Sequence, residues 1–295
     1  MRQPRRLCRQ STCILRSKKY RAGICFLLPS LLGVTIFVLI PFADVIRRSF
    51  AATITETWVR LSNYAAVFQN YAFQLAAKNT LRFVAVCIPL LILISLAAAV
   101  FLHRQIYGHY VKTAFLLPMA IPTASVVLLW KILFHENGLL NGSLSKLGIS
   151  GADWMNTNYA FWILAVVYIW KNLGYTIVLW MAGLASISAD IYDAAKVDGA
   201  GEWKIFTKIT VPCLLPVLYM ITVLSFLNSF KVFREAYLVA GDYPHESMYL
   251  LQHLFNNWFT DLSLDKMAAA AVIVALVILI LILMLQRVWD REEKK

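Results

Sequence analysis

Six long apolar runs constrain the fold of this sequence more than any other feature. Each approaches or exceeds the 20 or so mostly apolar residues that a helix needs to cross a bilayer core about 30 Å thick. A mean hydropathy of +0.66, with only 15% charged residues, excludes an ordinary soluble domain. The runs lie near residues 22–43, 80–102, 113–134, 159–185, 212–232 and 267–286.

These runs predict an all-α polytopic membrane protein with six spans. In hydrocarbon every backbone polar group must find its partner inside the protein, and a continuous apolar run achieves this as a helix. A membrane barrel would instead show alternating strands of about 10 residues, which this sequence lacks. Prolines inside the third run, Pro118 and Pro122, are expected to bend or loosen its helix.

The distribution of Lys and Arg predicts the orientation, because basic residues concentrate in cytoplasmic loops. With the N-terminus in the cytoplasm, about 17 of these residues fall in inner segments. We therefore predict a basic cytoplasmic tail over 1–20, a membrane domain over 21–288 and a cytoplasmic C-terminal tail over 289–295. The net charge of +12 then reflects topology and attraction to anionic lipid, and it requires no nucleic acid. The outer segments keep Arg47, Arg48, Arg60, Lys78, Lys146 and Arg234.

Neither the cysteines nor the histidines indicate a metal site or catalytic chemistry. No cysteine falls in an outer segment, so no disulfide is expected, and Cys8 and Cys13 lack a second pair for zinc. The other cysteines are Cys25, Cys87 and Cys213, and the histidines, all assigned to loops, are His103, His109, His135, His245 and His253.

A charged segment, "DAAKVDGAGEWKIFTKITVP", separates the fourth and fifth runs and is predicted to lie in the cytoplasm. Ser188 can cap a helix that begins near Ala189, and Gly199 or Gly201 can end it in a left-handed turn. A second helix is expected from Glu202, with Trp203 on the same side as Ile205, Phe206 and Ile209. Pro212 suits the first turn of the next span. On composition alone the segment could simply be an amphipathic connector.

The order of residue types in this segment resembles the signature loop of permease subunits of ABC importers. "DAAKVDGA" followed by "ITVP" matches that loop, with Asp193 in place of the usual Glu and Val211 in place of the usual Leu. The spacing from Gly199 to Ile209 also matches. Elsewhere "LSNYAAVF", "NTLRF", "IPTASVVLLWKILFHENGLLN" and "YIWKNLGYTIVLWMAGLASIS" resemble the branch that carries sugars such as maltose and also glycerol phosphate. In "FKVFREAYLVAGDYP" the usual Thr-Gly-Gly-Pro is replaced.

The resemblance implies a type I ABC importer permease in a bacterial or archaeal cell membrane, with both termini cytoplasmic. It implies partners: a second permease, two cytoplasmic ATPase subunits, an external solute-binding protein and a sugar substrate. ATP and Mg would bind the ATPases, because this chain has no G-x-x-x-x-G-K-[ST] phosphate loop. The loop 186–212 would dock on an ATPase through Asp193, Ala194, Ala195, Asp198, Gly199, Ala200, Ile209 and Pro212.

A neutral sugar needs a cavity with aromatic faces and hydrogen-bonding groups, and the fourth and fifth runs supply both. Lys171 lies near mid-membrane, where a charge usually faces a cavity or a partner, and the six runs contain no Asp or Glu to pair with it. Lys171 could equally pack at a dimer interface or extend to the membrane surface. The predicted substrate path comprises Tyr168, Trp170, Lys171, Asn172, Tyr175, Tyr219, Ser225, Asn228 and Ser229.

Other functions stay open at this stage. A secondary transporter would need acids within the membrane for ion coupling, and none is found in the six runs. A membrane scaffold without a transport path is a second alternative. A third keeps the ABC importer but changes its cargo to a polyamine, an amino acid or a phosphate ester such as glycerol phosphate.

Overall fold

The computed structural model of this protein describes residues 26–103 and 108–292, and helices dominate both ranges. The predicted tail 1–20 and the cysteines Cys8, Cys13 and Cys25 lie outside the described residues. The helices are α1 Phe26–Ser49, α2 Ser62–Gln69, α3 Tyr71–His103, α4 Gly108–Ala120, α5 Thr123–Phe134, α6 Leu139–Lys146, α7 Tyr159–Ala185, α8 Ala189–Val197, α9 Glu202–Ile205, α10 Val211–Cys213, α11 Leu215–Ala240, α12 Leu251–Thr260 and α13 Leu264–Glu292.

Five of these helices are long and apolar enough to cross a membrane: α1, α3, α7, α11 and α13. The second span is longer than predicted, because α3 begins at Tyr71 rather than near residue 80. The first turns of α3 contact the segment that follows α11. There Asn79 Nδ2 donates to the carbonyl oxygen of Tyr249 over 3.0 Å. The last helix continues to Glu292, into the predicted tail 289–295.

The third predicted span, 113–134, is not one helix. It is divided between α4 and α5 at a sharp bend, where the segments Ala114–Ala120 and Thr123–Lys146 differ in direction by 101°. Pro122 precedes α5 in an extended conformation, with φ −57° and ψ 139°. A proline lacks the amide donor that a continuous helix needs, and it disfavours helical geometry in the residue before it. The predicted bend is therefore confirmed at Pro122, and the described residues contain five candidate spans, or six if the bent pair is one span.

The chain forms two compact units, residues 26–67 with 263–274 and residues 68–262 with 275–292. In the first unit, Asn63 lies near the end of α1 and donates to the carbonyl oxygens of Ser49 and Ala51 over 3.1 and 2.9 Å. The amide of Asp265 donates to Thr53 Oγ1 over 2.9 Å and so attaches the start of α13. Hydrogen bonds thus connect α2 and the start of α13 to the end of α1 and the segment that follows it.

The second unit is built around α7, which packs against α3 and α4. Near the start of α7, Phe83 of α3 meets Phe161 and Tyr168 edge to face. Near its end, the buried Trp180 donates from Nε1 to Ser95 Oγ of α3 over 3.0 Å. These contacts hold both halves of α7 against α3. One candidate site follows the end of α7, and the other lies beside the middle of that helix.

Close helix packing in this unit depends on glycine. A Cβ atom on Gly174 would lie only 1.7 Å from the carbonyl oxygen of Phe115 in α4. Because that neighbour is backbone, a larger residue would have to push the two helices apart. Gly174 therefore lets α4 approach α7 within backbone contact.

Candidate functional sites: an exposed helical loop and a polar cavity

The first site is the loop between α7 and α11, and local sequence signals define its first helix. Ser188 Oγ accepts a hydrogen bond from the amide of Asp190 over 3.3 Å, which confirms the predicted cap of α8. At the other end Gly199 has φ +74°. The amide of Gly199 donates to the carbonyl of Lys196 and that of Ala200 to Ala195, over 3.0 and 2.9 Å. This is a Schellman motif, so the predicted left-handed turn is confirmed at Gly199.

The second half of the loop differs from the prediction. α9 begins at Glu202 as expected, but it continues as a π-helical turn over Phe206–Thr210. The predicted common side is wrong for Trp203: on a regular helix it lies about 200° from Ile205, and in the structure Ile205 is buried whereas Trp203 is 76% exposed. Gly201 has φ −70° and does not form the left-handed turn. Pro212 lies in the short helix α10, before the span that starts at Leu215.

A cavity of about 360 Å³ lies between the two helical stretches of this loop, α8 and residues 202–210, and the ends of α3 and α7. Tyr192 of α8 and Thr210 share a hydrogen bond of 3.2 Å between their hydroxyl groups, which joins the two sides of the loop. The loop is therefore a folded unit with side-chain contacts of its own.

Most of α8 faces outward. No residue of α8 is buried, and Val197 at its end is 87% exposed. Of the residues predicted to dock on an ATPase, Asp193, Ala194, Asp198, Gly199 and Pro212 are exposed, and Ala195, Ala200 and Ile209 are half-buried.

The second site is a cavity of about 150 Å³ between α7 and α11, near the end of α4. Four of the residues predicted for a substrate path line it, namely Tyr168, Lys171, Asn172 and Asn228. Met119, Val167, Lys231, Val232 and Glu235 complete the lining. The cavity thus combines apolar walls with amides, two ammonium groups and one carboxylate.

The other predicted path residues do not line this cavity. Trp170 packs edge to face on Trp130, with ring centroids 5.7 Å apart. Ser225 and Ser229 are buried, and the backbone carbonyl of Ser225 accepts the Tyr168 hydroxyl over 2.6 Å. Tyr175 and Tyr219 are half-buried elsewhere on α7 and α11.

Glu235 overturns one expectation from the sequence. The apolar run ends near residue 232, so Glu235 was assigned to an outer segment, but α11 continues through a short 3₁₀ turn to Ala240. Lys171 Nζ forms an ion pair with Glu235 Oε1. It also donates to Thr123 Oγ1 over 3.1 Å. The prediction that no carboxylate could pair with Lys171 is therefore wrong, and so is the argument against ion coupling that rested on the absence of such an acid.

The ion pair is largely buried in the protein. Glu235 is only 5% exposed, and its Oε2 has no hydrogen-bond partner among the described residues. Thr123 is the first residue of α5, directly after the break in the third span. Lys171 thus connects three helices, α5, α7 and α11. Amphipathic continuation of the helix through "FKVFREAY" was the available signal for Glu235.

His253 lies at the opposite end of α11 from the loop and was also assigned wrongly. It belongs to α12 rather than to a loop, and it is fully buried. Its Nδ1 accepts the amide of Leu250 over 3.2 Å, and its ring meets Phe233 edge to face. Burial lowers the pKa of His253 to about 4, partly offset by the charge of Asp242. His103, which ends α3, likewise lies in a helix.

Comparison with solved structures supports the fold. A bacterial ABC transporter involved in the import of the acidic polysaccharide alginate matches with a TM-score of 0.77, covering 96% of this chain and 99% of that chain at 23% identity. The same type of transporter, in complex with an alginate pentasaccharide-bound periplasmic protein, matches with a TM-score of 0.79. The predicted all-α permease fold is confirmed by this likeness.

Comparison with characterised sequences identifies the family. The trehalose/maltose transport system permease protein of Thermococcus litoralis is 30% identical over 240 residues, covering 79% of this chain and 81% of that protein. The arabinooligosaccharides transport system permease protein of Bacillus subtilis is 31% identical, covering 75% and 72%. Residues 91–295 match the family described as binding-protein-dependent transport system inner membrane component. This chain therefore belongs to the family of inner membrane components of binding-protein-dependent transport systems, as its signature loop predicted.

Proposed function

We propose that this chain is the permease subunit of an ATP-driven importer for a carbohydrate and forms half of its translocation path. Relatives named for trehalose/maltose and for arabinooligosaccharides support the carbohydrate, and each covers most of this chain. The chain itself is not an enzyme in this proposal. A separate ATPase subunit binds ATP and Mg.

The exposed helix α8 is the observation that carries the coupling role. It is a short capped helix with two small residues, Ala194 and Ala195, and an exposed apolar residue at its end, Val197. Small side chains let another backbone approach closely, while Asp193 and Asp198 offer hydrogen-bond acceptors to a partner. A helix of this kind fits a groove on a second protein.

Motion of a docked α8 reaches the membrane through two connections. The chain continues directly into α11, and the hydrogen bond between Tyr192 and Thr210 joins α8 to the residues that precede this span. Because α8 is fixed at both ends by its cap and its Schellman motif, it can move as one body.

The size of the cavity between α7 and α11 fits a path shared with a second subunit. Pockets for small molecules usually measure about 300–1,000 Å³. This cavity measures about 150 Å³, so a facing surface on a second permease would complete it. The proposed assembly holds two permeases, two ATPases and an external solute-binding protein, with both termini of this chain in the cytoplasm of a bacterial or archaeal cell.

Among other cargoes, the cavity disfavours a polyamine. Lys171 and Lys231 both line it, against a single carboxylate from Glu235. A multiply charged cation would meet repulsion there. Lys231 instead favours, as a second candidate, an importer of an anionic solute of the glycerol phosphate type.

Co-purification with the ATPase subunit of the importer, co-expressed with this chain, tests the proposed function. Val197→Glu places a charge on the exposed end of α8, whereas Leu147→Glu makes the same change at a 75% exposed residue that precedes α7. The two positions flank opposite ends of α7. We expect Val197→Glu to reduce the recovered ATPase and Leu147→Glu to leave it at the wild-type level. Equal recovery with both variants would refute docking through α8.

A further inference from the structure

Two lysines and a single acid share the wall of the cavity between α7 and α11. Among the described residues that line it, Glu235 is the only acid, and Lys171 and Lys231 are both basic. Lys171 forms the ion pair with Glu235. Lys231 donates to Asn228 Oδ1, a neutral acceptor, over 2.9 Å, and it forms no ion pair within the described part of the chain. Glu235 therefore has one present counter-charge and one candidate counter-charge.

The two lysines approach Glu235 from different helices. Lys171 belongs to α7, so its ion pair connects α7 to α11. Lys231 precedes Glu235 by four residues in α11, and helical residues four apart are neighbours on one side of the helix. Both residues also line the same cavity, which agrees with this placement. Pairing with Lys171 thus holds two helices together, whereas pairing with Lys231 leaves α11 free of α7.

Burial determines which lysine pairs with Glu235 while the helices are packed. Glu235 is 5% exposed, whereas Lys231 is exposed. Bringing the hydrated ammonium group of Lys231 to a buried carboxylate would cost desolvation, and Lys171 already neutralises that carboxylate. A lysine before a glutamate is also the weaker order for a pair four residues apart in a helix. Lys231 is therefore the second choice in the packed arrangement.

Separation of α7 from α11 reverses this preference. Lys171 would leave with α7, and a buried carboxylate that loses its only counter-charge is strongly unfavourable. The same movement would uncover Glu235 to water and to Lys231, which stays beside it because both belong to α11. A second cation on the same helix would therefore lower the free energy of the separated arrangement.

We propose that Glu235 exchanges partners, binding Lys171 while α7 and α11 are packed and Lys231 when they separate. Lys231 is then a positioning residue that allows the ion pair between the helices to open. This inference rests on the proposed function, in which motion of the docked α8 reaches α11. It identifies the contact that resists this motion and the residue that relieves the resistance.

The test is ATP hydrolysis by the complete importer in lipid nanodiscs without any solute, so that a contact between Lys231 and solute cannot contribute. We expect Lys231→Gln to lower kcat for ATP about tenfold, because Glu235 then lacks a counter-charge in the separated arrangement, where water in the widened cavity moderates the penalty. The KM for ATP should stay unchanged. Lys146→Gln removes the same charge from an exposed residue of α6 and should hydrolyse ATP at the wild-type rate.

Two further measurements separate the exchange from a structural role of Lys231. Thermal unfolding of Lys231→Gln should match the wild type, because the ion pair of the packed arrangement is intact. In the background Lys171→Met/Glu235→Met there is no carboxylate to neutralise, and an apolar pair replaces the ionic one. Adding Lys231→Gln to that background should leave the rate of ATP hydrolysis unchanged.

Three results would overturn the partner exchange: wild-type hydrolysis by Lys231→Gln, a loss of its thermal stability that accounts for the slower rate, or an equal effect of Lys231→Gln with and without Glu235. Failure of the proposed function would look different. In that case the wild-type chain would recover no ATPase, or the ATPase would hydrolyse ATP no faster with the chain than alone.

Discussion

Gly199 offers the sharpest test of how the loop between α7 and α11 is built. Its φ of +74° lies in the left-handed region, yet a Cβ atom there would meet nothing within 4 Å. Any effect of a larger residue must therefore come from backbone strain rather than from a clash. Gly201 supplies a matched control, because it is equally open but has φ −70°.

The magnitude follows from the backbone conformation. Placing an ordinary L-residue in the left-handed region costs about 1–2 kcal/mol, equivalent to about 5- to 30-fold in an equilibrium constant. In Gly199→Val this strain opposes the two Schellman hydrogen bonds of Gly199 and Ala200, so the last turn of α8 opens in a larger fraction of molecules. If α8 docks on an ATPase, the apparent affinity for that partner falls in proportion to the fraction of molecules that keep the turn closed, and so by that factor at most.

The assay is solute uptake and ATP hydrolysis by the importer in membrane vesicles, with the amount of this chain measured in the same membranes. We expect Gly199→Val to reduce uptake severalfold without loss of the chain from the membrane. Gly199→Asn should be intermediate, since Asn tolerates positive φ, and Gly201→Val should resemble the wild type. Equal activity of the two Val variants, or an Asn variant as impaired as Val, would contradict the reasoning.

Three further predictions concern stability in detergent. Gly174→Ala should lower the free energy of unfolding by about 1–3 kcal/mol, because its Cβ meets the backbone of α4, whereas Gly142→Ala, in open space within α6, should raise it by about 0.5–1 kcal/mol; chemical unfolding of both measures this. Lys171→Met should cost about 3 kcal/mol by leaving Glu235 buried and unpaired, and adding Glu235→Met should restore most of it; a double variant as unstable as the single one would argue against the pair. The pKa of His253 is lower in the folded state than in the unfolded state. Its contribution to the free energy of unfolding is therefore complete above about pH 6.5 and is lost as pH falls towards about 4, by up to ~3 kcal/mol. Thermal unfolding measured over this pH range should show a weaker dependence of stability on pH in His253→Asn than in the wild type.

The loop was predictable from sequence because its signals are local. A serine cap, a glycine at the helix end and a glutamate at the next helix start each act within a few residues. The π-helical turn Phe206–Thr210 was not predictable in this way, because no residue in it is a local signal for a change from the α-helical hydrogen-bond pattern. Irregular turns of this kind depend on what the neighbouring helices present.

Glu235 shows why the cavity was only partly predictable. Hydropathy marks where apolar residues stop, whereas a helix ends where its hydrogen bonds stop, and α11 extends eight residues past Val232. Within this continuation Glu235 pairs with Lys171, which lies 64 positions earlier in the chain. Local periodicity can indicate that the helix continues through Glu235, but it cannot identify a partner at such a separation.

The exposed loop and the buried ion pair join the same two helices at different heights. Lys171 precedes the end of α7 at Ala185 by about 21 Å of helix, and Glu235 follows the start of α11 at Leu215 by about 30 Å. The loop connects α7 and α11 at one end, and the ion pair connects them at a second position along both helices. When two helices are connected at two positions along their length, a change in the angle between them alters the contacts at both positions. A displacement of α8 that tilts α11 against α7 would therefore change the contact at Lys171, whose bond to Thr123 lies directly beside the break in the third span, and this is a physical route from the loop to the cavity.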